Sequence, residues 1–125
     1  MHLQELDGSY SILQYLPRTK CPEWVLESEF YSVSSTPDEL SVVCESRVIK
    51  GKNPKVEAGW KCFRVLGSLD FSLTGVLAGI AKPLAEAEVS IFAVSTFETD
   101  YVLVKEDVFE RARAALAGAG FTFVE

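Results

Sequence analysis

The sequence has 125 residues, of which 48% are hydrophobic, enough for one ordinary core or two small domains that share one. Its 12 Lys and Arg and 18 Asp and Glu give a net charge of −6, which would repel a phosphate backbone, so we expect no nucleic-acid partner. The longest nearly uncharged apolar stretch, GVLAGIA, is far shorter than the roughly 18 to 20 residues of a membrane helix, and the N-terminus does not resemble a signal peptide. We therefore expect a soluble, cytoplasmic protein without a membrane partner.

Residues that usually carry metal or nucleophilic chemistry are sparse. Cys21, Cys44 and Cys62 are odd in number and fit no metal-ligand spacing, so we expect reduced, half-buried thiols. The single histidine, His2, lies beside the first residue, where chain ends are usually loose; this removes the usual general base and the usual metal ligand. No metal site, cofactor or Ser-His-Asp mechanism is predicted.

The first half predicts an abbreviated unit of strands. SYSILQYL (Ser9–Leu16) is typical of a strand that ends at Pro17, and PEWVL allows at most one or two turns of helix. FYSVSS and LSVVCE predict a pair of strands. The basic stretch SRVIKGKNPK contains glycine, asparagine and proline, which favour a solvated connector over a binding patch.

The second half predicts the complete order βαββαβ. A strand is expected in WKCFRVLG, followed by the loop SLDFSLTG and a helix from Gly75 in which Val76, Ile80 and Leu84 recur every four residues. VSIFAVS and YVLV predict a hairpin, KEDVFERARAALAGAG a second helix and FTFVE a last strand. With right-handed crossovers this order gives an α+β fold, a four-stranded antiparallel sheet with two helices on one face.

The hairpin segments of the two halves are alike. FYSVSSTPDELSVVCES aligns without a gap on IFAVSTFETDYVLVKED and pairs Val33 with Val94, an offset of 61 residues. Agreement in apolar period, turn position and length favours a duplicated unit. We expect an abbreviated unit in residues 1–58, its sheet completed by strands of the second unit, and a complete unit in residues 59–125.

Two segments of the second half could bind a ligand. Glu98 and Asp100 are carboxylates two positions apart; paired acids can divide acid and base roles, although such hairpin charges are usually only solvated. Asp100 directly precedes YVLV, so its carboxylate is expected to be half-buried and to need a cationic partner. Gly75 would let a carboxylate or phosphate approach the amides of the first helical turn, although an ordinary helix cap has the same pattern. Phe71, Phe92 and Phe97 are more often core residues than ligand contacts.

The segment LDFSLTGVLAGIAKPLAEAEVSIFAVSTFETDYVLVKED resembles the ACT domain, a small ligand-binding regulatory module. It is most similar to the paired ACT units of the cytosolic arginine sensor family, and aspartate kinase regulatory domains are more distant. FYSVSSTPDELSVVCE extends the resemblance weakly to nearly the whole chain. The resemblance implies tandem ferredoxin-like ACT units and a non-enzymatic regulatory module that holds an amino acid or a similar small zwitterion at an ACT interface.

In that family the loop before the helix and the segment matching STFETDY hold the ligand. The contacts that the resemblance implies are Asp70, Phe71, Gly75, Val76, Thr96, Phe97, Thr99 and Asp100. Asp100 would bind the cationic side chain of the ligand, the other hairpin residues would line its path, and the residues of the loop and helix would surround its amino and carboxylate end.

Two features differ from the sensor. Leu73 stands where the sensor's arginine-binding unit has an acidic residue, so either Asp70 takes that role or the ligand is not arginine. The sensor has four ACT units and binds between its second and fourth, whereas this chain has two. The equivalent site therefore requires a homodimer joined through the second units, with two equal sites.

Two other functions stay open. The chain could be an interaction domain that keeps the ACT shape with empty ligand sites and holds another protein by a sheet edge or a helix face. A small enzyme using Glu98 and Asp100 is a third hypothesis, but the sequence supplies neither a metal set nor a phosphate loop for it.

Overall fold

The computed structural model describes residues 1–67 and 75–124. It divides into two compact units: the N-terminal unit, Gly8–Trp60, and the C-terminal unit, Met1–Asp7 with Lys61–Glu125. The boundaries 1–58 and 59–125 for the two ACT units stay predictions.

The described elements are strands, two α-helices and three short 3-10 helices. In chain order they are β1 (His2–Glu5), β2 (Tyr10–Tyr15), a 3-10 helix (Glu23–Glu27), β3 (Ser32–Ser35), β4 (Leu40–Glu45), a 3-10 helix (Ser46–Val48), β5 (Lys55–Val65), α1 (Val76–Glu86), β6 (Phe92–Ser95), β7 (Asp100–Lys105), a 3-10 helix (Glu106–Val108), α2 (Phe109–Gly118) and β8 (Thr122–Val124).

The C-terminal unit contains a strand that the sequence does not predict. β1 lies between β5 and β8, where Leu3 pairs antiparallel with Val65 and parallel with Phe123. β7 pairs with β5 and β6, so the strand order is β6-β7-β5-β1-β8. The expectation that His2 lies in a loose chain end is wrong, because its carbonyl oxygen accepts a hydrogen bond from the backbone N–H of Leu66 at 3.0 Å.

The core of the C-terminal unit lies between one face of its sheet and both helices. Its buried residues are Leu3, Phe63, Val65, Ile80, Leu84, Val89, Val102, Val104, Phe109, Ala112 and Leu116. Alternate residues of β5 and β7 contribute, as expected when one face of a strand is covered. The helices supply residues three to four positions apart, which places both on that same face. The ferredoxin-like α+β class and the predicted order of its elements are confirmed. The predicted four-stranded antiparallel sheet is wrong in one respect, because β1 adds a fifth strand that is parallel to β8.

The N-terminal unit is an antiparallel sheet in the order β3-β4-β2-β5, to which β5 contributes residues of its first half, Lys55 to Trp60. Residues 8–60 are all described and contain no α-helix; the 3-10 helix Glu23–Glu27 stands where the other unit has α1. Its core is formed by Leu13, Tyr15, Val25, Leu40, Val42, Cys44 and Val48. This is the abbreviated unit that the sequence indicates.

A buried carboxylate fixes the segment that leads into β3. Glu45 is 8% exposed, and its Oε1 accepts hydrogen bonds from the backbone N–H of Glu29 at 2.6 Å and from Ser28 Oγ at 3.3 Å. Arg47 donates Nε to Oε2 at 3.0 Å and Nη2 to Oε1 at 3.1 Å. Burial alone would raise the pKa of Glu45, but these hydrogen bonds and the charge of Arg47 hold the pKa below its ordinary value.

The two hairpins repeat at an offset of 60 residues, and the predicted offset of 61 is wrong by one. β3 begins at Ser32 and β6 at Phe92, while β4 begins at Leu40 and β7 at Asp100. The residues Val42, Val43 and Cys44 are buried, as are Val102, Leu103 and Val104. In a run of apolar residues a one-residue slip still aligns similar letters, yet it exchanges the two faces of the strand.

Candidate functional site

The β6–β7 turn is held by two of the predicted site residues. Thr96 donates its backbone N–H to the carbonyl oxygen of Thr99 at 2.8 Å, and its Oγ1 bonds the same oxygen at 3.0 Å. In the N-terminal unit, Thr36 donates its backbone N–H to the carbonyl oxygen of Glu39 at 2.9 Å. The threonine at this position therefore stabilises the turn in both units.

Thr99 joins the turn to the neighbouring strand. Its side chain is buried, and its Oγ1 donates a hydrogen bond to the carbonyl oxygen of Val65, the last residue of β5, at 2.8 Å. Since the chain runs from Val65 toward Gly75 and α1, this bond fixes the start of β7 beside the start of the connection that leads to the helix.

Asp100 begins β7 and is half-buried, as the sequence predicts. Ser95 lies opposite it as the last pair of the hairpin, and Ser95 Oγ donates a hydrogen bond to Asp100 Oδ1 at 2.6 Å. Val102 and Val104 are buried in the core under the helices, and alternate residues of a strand share a face. The Asp100 side chain therefore lies on the helix-covered face of the sheet, at the first residue of the inner strand β7.

The tip of the same hairpin is exposed. Phe97 is 81% exposed, so within the described part of this chain it does not belong to the core. Glu98 beside it is exposed as well. Aromatic side chains are enriched at contact surfaces, although a single exposed apolar side chain is normal on a protein surface.

Gly75 ends the connection to α1 in the left-handed conformation, with φ 80° and ψ 3°. An L side chain is strained at such angles, which accounts for glycine here. The carbonyl oxygen of Gly75 accepts the backbone N–H of Gly79 at 2.8 Å, the first hydrogen bond of the helix. The other amides of the first turn carry the partial positive charge of a helix start.

A depression of about 270 Å³ opens at the start of α1. Its lining residues are Met1, Gly75, Val76, Gly79, Ala119, Gly120 and Phe121. It is near the small end of ligand pockets, which run to roughly 300–1,000 Å³. The structure thus brings Gly75 and Val76 together, whereas Thr96, Phe97, Thr99 and Asp100 form a second group on the hairpin and do not line this depression.

Several contributors to this region are missed by the sequence analysis. Gly79 and Gly120 line the depression and, having no side chains, leave it open. The sequence hint for them is a glycine at an unusual place, inside one predicted helix and at the end of the other. Ser95 is missed because its role depends on the register that places it opposite Asp100. Asp70, Phe71 and Leu73 lie outside the described residues.

Other chemistry finds little support in residues 1–67 and 75–124. No group of three or more His, Cys, Asp or Glu side chains there could hold a metal ion. Cys21, Cys44 and Cys62 are free thiols; burial raises the pKa of Cys44 to about 11 and that of Cys62 to about 12. Neither α1 nor α2, the α-helices of the described chain, is long and apolar enough to cross a bilayer.

A sequence model of the ACT domain matches residues 55–118, and a second model, of an N-terminal domain, matches residues 8–52. The first match covers half of the chain and includes β5, both helices and the β6–β7 hairpin. The chain belongs to the ACT domain family.

Among curated proteins, the cytosolic arginine sensor for mTORC1 subunit 1 of Rattus norvegicus is 29% identical over 104 residues. The alignment covers 75% of this chain and 29% of the rat protein. The human sensor is 28% identical over 105 residues and is covered to 30% of its length. This chain therefore spans less than a third of these relatives.

Among solved structures, a protein from Agobacterium tumefaciens is similar with a TM-score of 0.92 and 35% identity, over 98% of this chain and 91% of that one. The aspartate kinase of Clostridium acetobutylicum is similar with a TM-score of 0.69 and 17% identity, over 90% of this chain and 33% of the kinase. At this low identity the likeness to the kinase shows the fold alone.

Proposed function

We propose that this chain is a cytoplasmic, non-enzymatic regulatory module that binds an amino acid with a cationic side chain. The observation that carries the proposal is the position of Asp100, which is half-buried at the start of β7 on the helix-covered face of the sheet. It directly follows Thr99, whose hydroxyl donates to the carbonyl oxygen of Val65. The name of the curated relatives, a cytosolic arginine sensor, supports an amino-acid ligand.

The charges at the start of β7 and at the start of α1 match such a ligand. The start of β7 carries a carboxylate, and the start of α1 carries amides with partial positive charge, which attract a carboxylate. The Thr99–Val65 hydrogen bond fixes the hairpin beside the end of β5. A zwitterion with a second positive charge would place its cationic end at Asp100 and its carboxylate near Gly75 and Val76. Asp70 and Phe71 complete this end in the proposal.

The exposed hairpin supports a site shared by two copies of the chain. Phe97 is 81% exposed, so it would line the ligand only if another molecule covered it. We propose a homodimer joined through the C-terminal units, in which Phe97 is covered. Thr96 and Thr99 would then shape the ligand path through the turn, since both hydroxyls are engaged by backbone groups. A further protein would respond to ligand occupancy.

The same exposed Phe97 favours a second candidate, an interaction domain with empty ligand sites. β6 pairs only with β7 among the described strands, and the segment from Val89 to Phe97 has no charged residue. Charged residues usually protect an edge strand from pairing with other chains, so this edge could hold a partner protein directly.

A thermal-shift screen with the twenty amino acids, ornithine, citrulline and common nucleotides tests the proposal. A ligand at about 100 times its dissociation constant adds roughly 2.7 kcal/mol of apparent stability, so a binder raises the melting temperature by several degrees. We expect arginine, lysine or ornithine to do so and citrulline to do so less. If no amino acid shifts the transition, the amino-acid site is refuted and the interaction domain becomes the better hypothesis.

A further inference from the structure

We infer that Ser95 is a positioning residue, which orients the Asp100 carboxylate toward the cationic end of the ligand. This inference rests on the proposed function. The two residues form the last cross-strand pair of β6 and β7, and Ser95 Oγ donates to Asp100 Oδ1 at 2.6 Å. A short hydrogen bond to a carboxylate is among the stronger side-chain contacts.

The bond leaves part of the carboxylate available. Ser95 engages Oδ1, so Oδ2 can accept from an ammonium or guanidinium group. Both residues stand at strand ends whose backbone the Thr96–Thr99 turn holds in place. The side chain of Asp100 is thus restrained before a ligand arrives, and restraint of this kind favours binding because less freedom is lost in the complex.

The N-terminal unit provides an internal control for this role. Ser35 occupies the equivalent strand position, but the residue opposite it is Leu40, which is 4% exposed in the core. The Ser35 hydroxyl therefore has no carboxylate opposite it in its pair. A substitution of Ser35 removes the same hydroxyl beside the same kind of turn, without affecting the proposed site.

Calorimetric titration of arginine and citrulline into Ser95→Ala, Ser95→Thr and Ser35→Ala tests the inference. Citrulline matches arginine in shape but carries a neutral urea group in place of the guanidinium. We expect Ser95→Ala to weaken arginine binding about three- to tenfold, because the carboxylate is no longer held in place; tenfold corresponds to about 1.4 kcal/mol of binding free energy. Citrulline binding should change by less than about twofold. Ser95→Thr keeps a hydroxyl and should retain the wild-type affinity for arginine. Ser35→Ala should change the affinity for neither ligand.

Two results would overturn the positioning role while the proposed function survives. One is wild-type arginine affinity in Ser95→Ala combined with a loss in Asp100→Asn. The other is an equal loss of arginine and citrulline in Ser95→Ala, which would indicate a general effect on the hairpin. If the wild-type chain binds no cationic amino acid, the proposed function fails and the positioning role fails with it.

Discussion

Leu40 and Asp100 occupy the same position of the repeated hairpin: each begins the second strand and lies opposite a serine. Leu40 is 4% exposed in the core of the N-terminal unit, whereas Asp100 is half-buried at the start of β7 in the C-terminal unit. In the N-terminal unit only the short 3-10 helix Glu23–Glu27 stands at the position of α1. One backbone pattern therefore serves packing in one unit and presents a carboxylate in the other.

Exchanging the residue types at these positions should have unequal effects. Leu40→Asp places a carboxylate in the core and should lower the free energy of unfolding by about 3 kcal/mol or more. Asp100 is only half-buried, so Asp100→Leu should change the free energy of unfolding by less than about 1 kcal/mol. Urea denaturation followed by circular dichroism measures both. Similar losses in the two variants would contradict the assignment of Leu40 to the core.

The Glu45 contacts should make stability depend on acid pH. The pKa of Glu45 is lower in the folded protein than its ordinary value of 4.5, so the folded state binds its proton more weakly than the unfolded state. The contribution is complete above pH 4.5 and is lost as the pH falls through the lower, folded value. Glu45→Gln should destabilise by about 1–3 kcal/mol at pH 7, and the loss should shrink in acid.

Glu39→Gln is the matched control for Glu45. Glu39 also accepts a side-chain hydrogen bond, from Gln14 Nε2 at 3.1 Å, but on an exposed surface. Its replacement should change stability by no more than about 0.5 kcal/mol. A loss for Glu45→Gln that stays constant from pH 7 to pH 3 would show that the carboxylate charge is not the source of the effect.

Two glycines at the start of α1 should respond in opposite directions to alanine. Gly79 lies within the helix, and an added Cβ meets only Phe121 Cζ, at 3.9 Å, so Gly79→Ala should stabilise by about 0.5–1 kcal/mol through helix propensity. Gly75 has φ 80°, and Gly75→Ala should destabilise by about 1–2 kcal/mol. Thermal unfolding compares the pair, and a stabilised Gly75→Ala would contradict the left-handed conformation.

The three thiols should differ in reactivity. Cys44 and Cys62 are buried, with pKa raised to about 11 and about 12, whereas Cys21 is half-buried. Only thiolates react quickly with disulfide reagents. In the native protein at pH 8, Ellman's reagent should therefore label Cys21 first and reach the other two only on unfolding. Labelling in Cys21→Ser as fast as in the wild type would contradict this order.

Sequence patterns predicted the elements whose local chemistry is strong. β-branched runs indicated β4, β6 and β7, and the four-residue spacing of apolar residues indicated α1. β1 was missed because HLQE contains no β-branched residue, and only pairing with β5 and β8 makes it a strand. α2 begins at Phe109, later than predicted, since the residues before it form a 3-10 helix.

The candidate site was predictable where a residue type alone carries the information. Glycine at position 75 indicates an unusual backbone conformation. The half-buried position of Asp100 was indicated because Asp100 directly precedes the apolar run YVLV. The contact between Ser95 and Asp100 depends on strand register, which the one-residue error in the repeat concealed. The depression at α1 combines Met1 with residues beyond position 118, and no local pattern links such distant segments.

The most direct test of the account is the calorimetric affinity of arginine for the wild type and for Asp100→Asn, with citrulline as the neutral ligand. The loss of a charge-assisted hydrogen bond predicts that Asp100→Asn weakens arginine binding at least about tenfold and leaves citrulline within about twofold. Equal arginine affinity in the two proteins, with the fold of both intact, would contradict the claim that Asp100 binds the cationic end of the ligand.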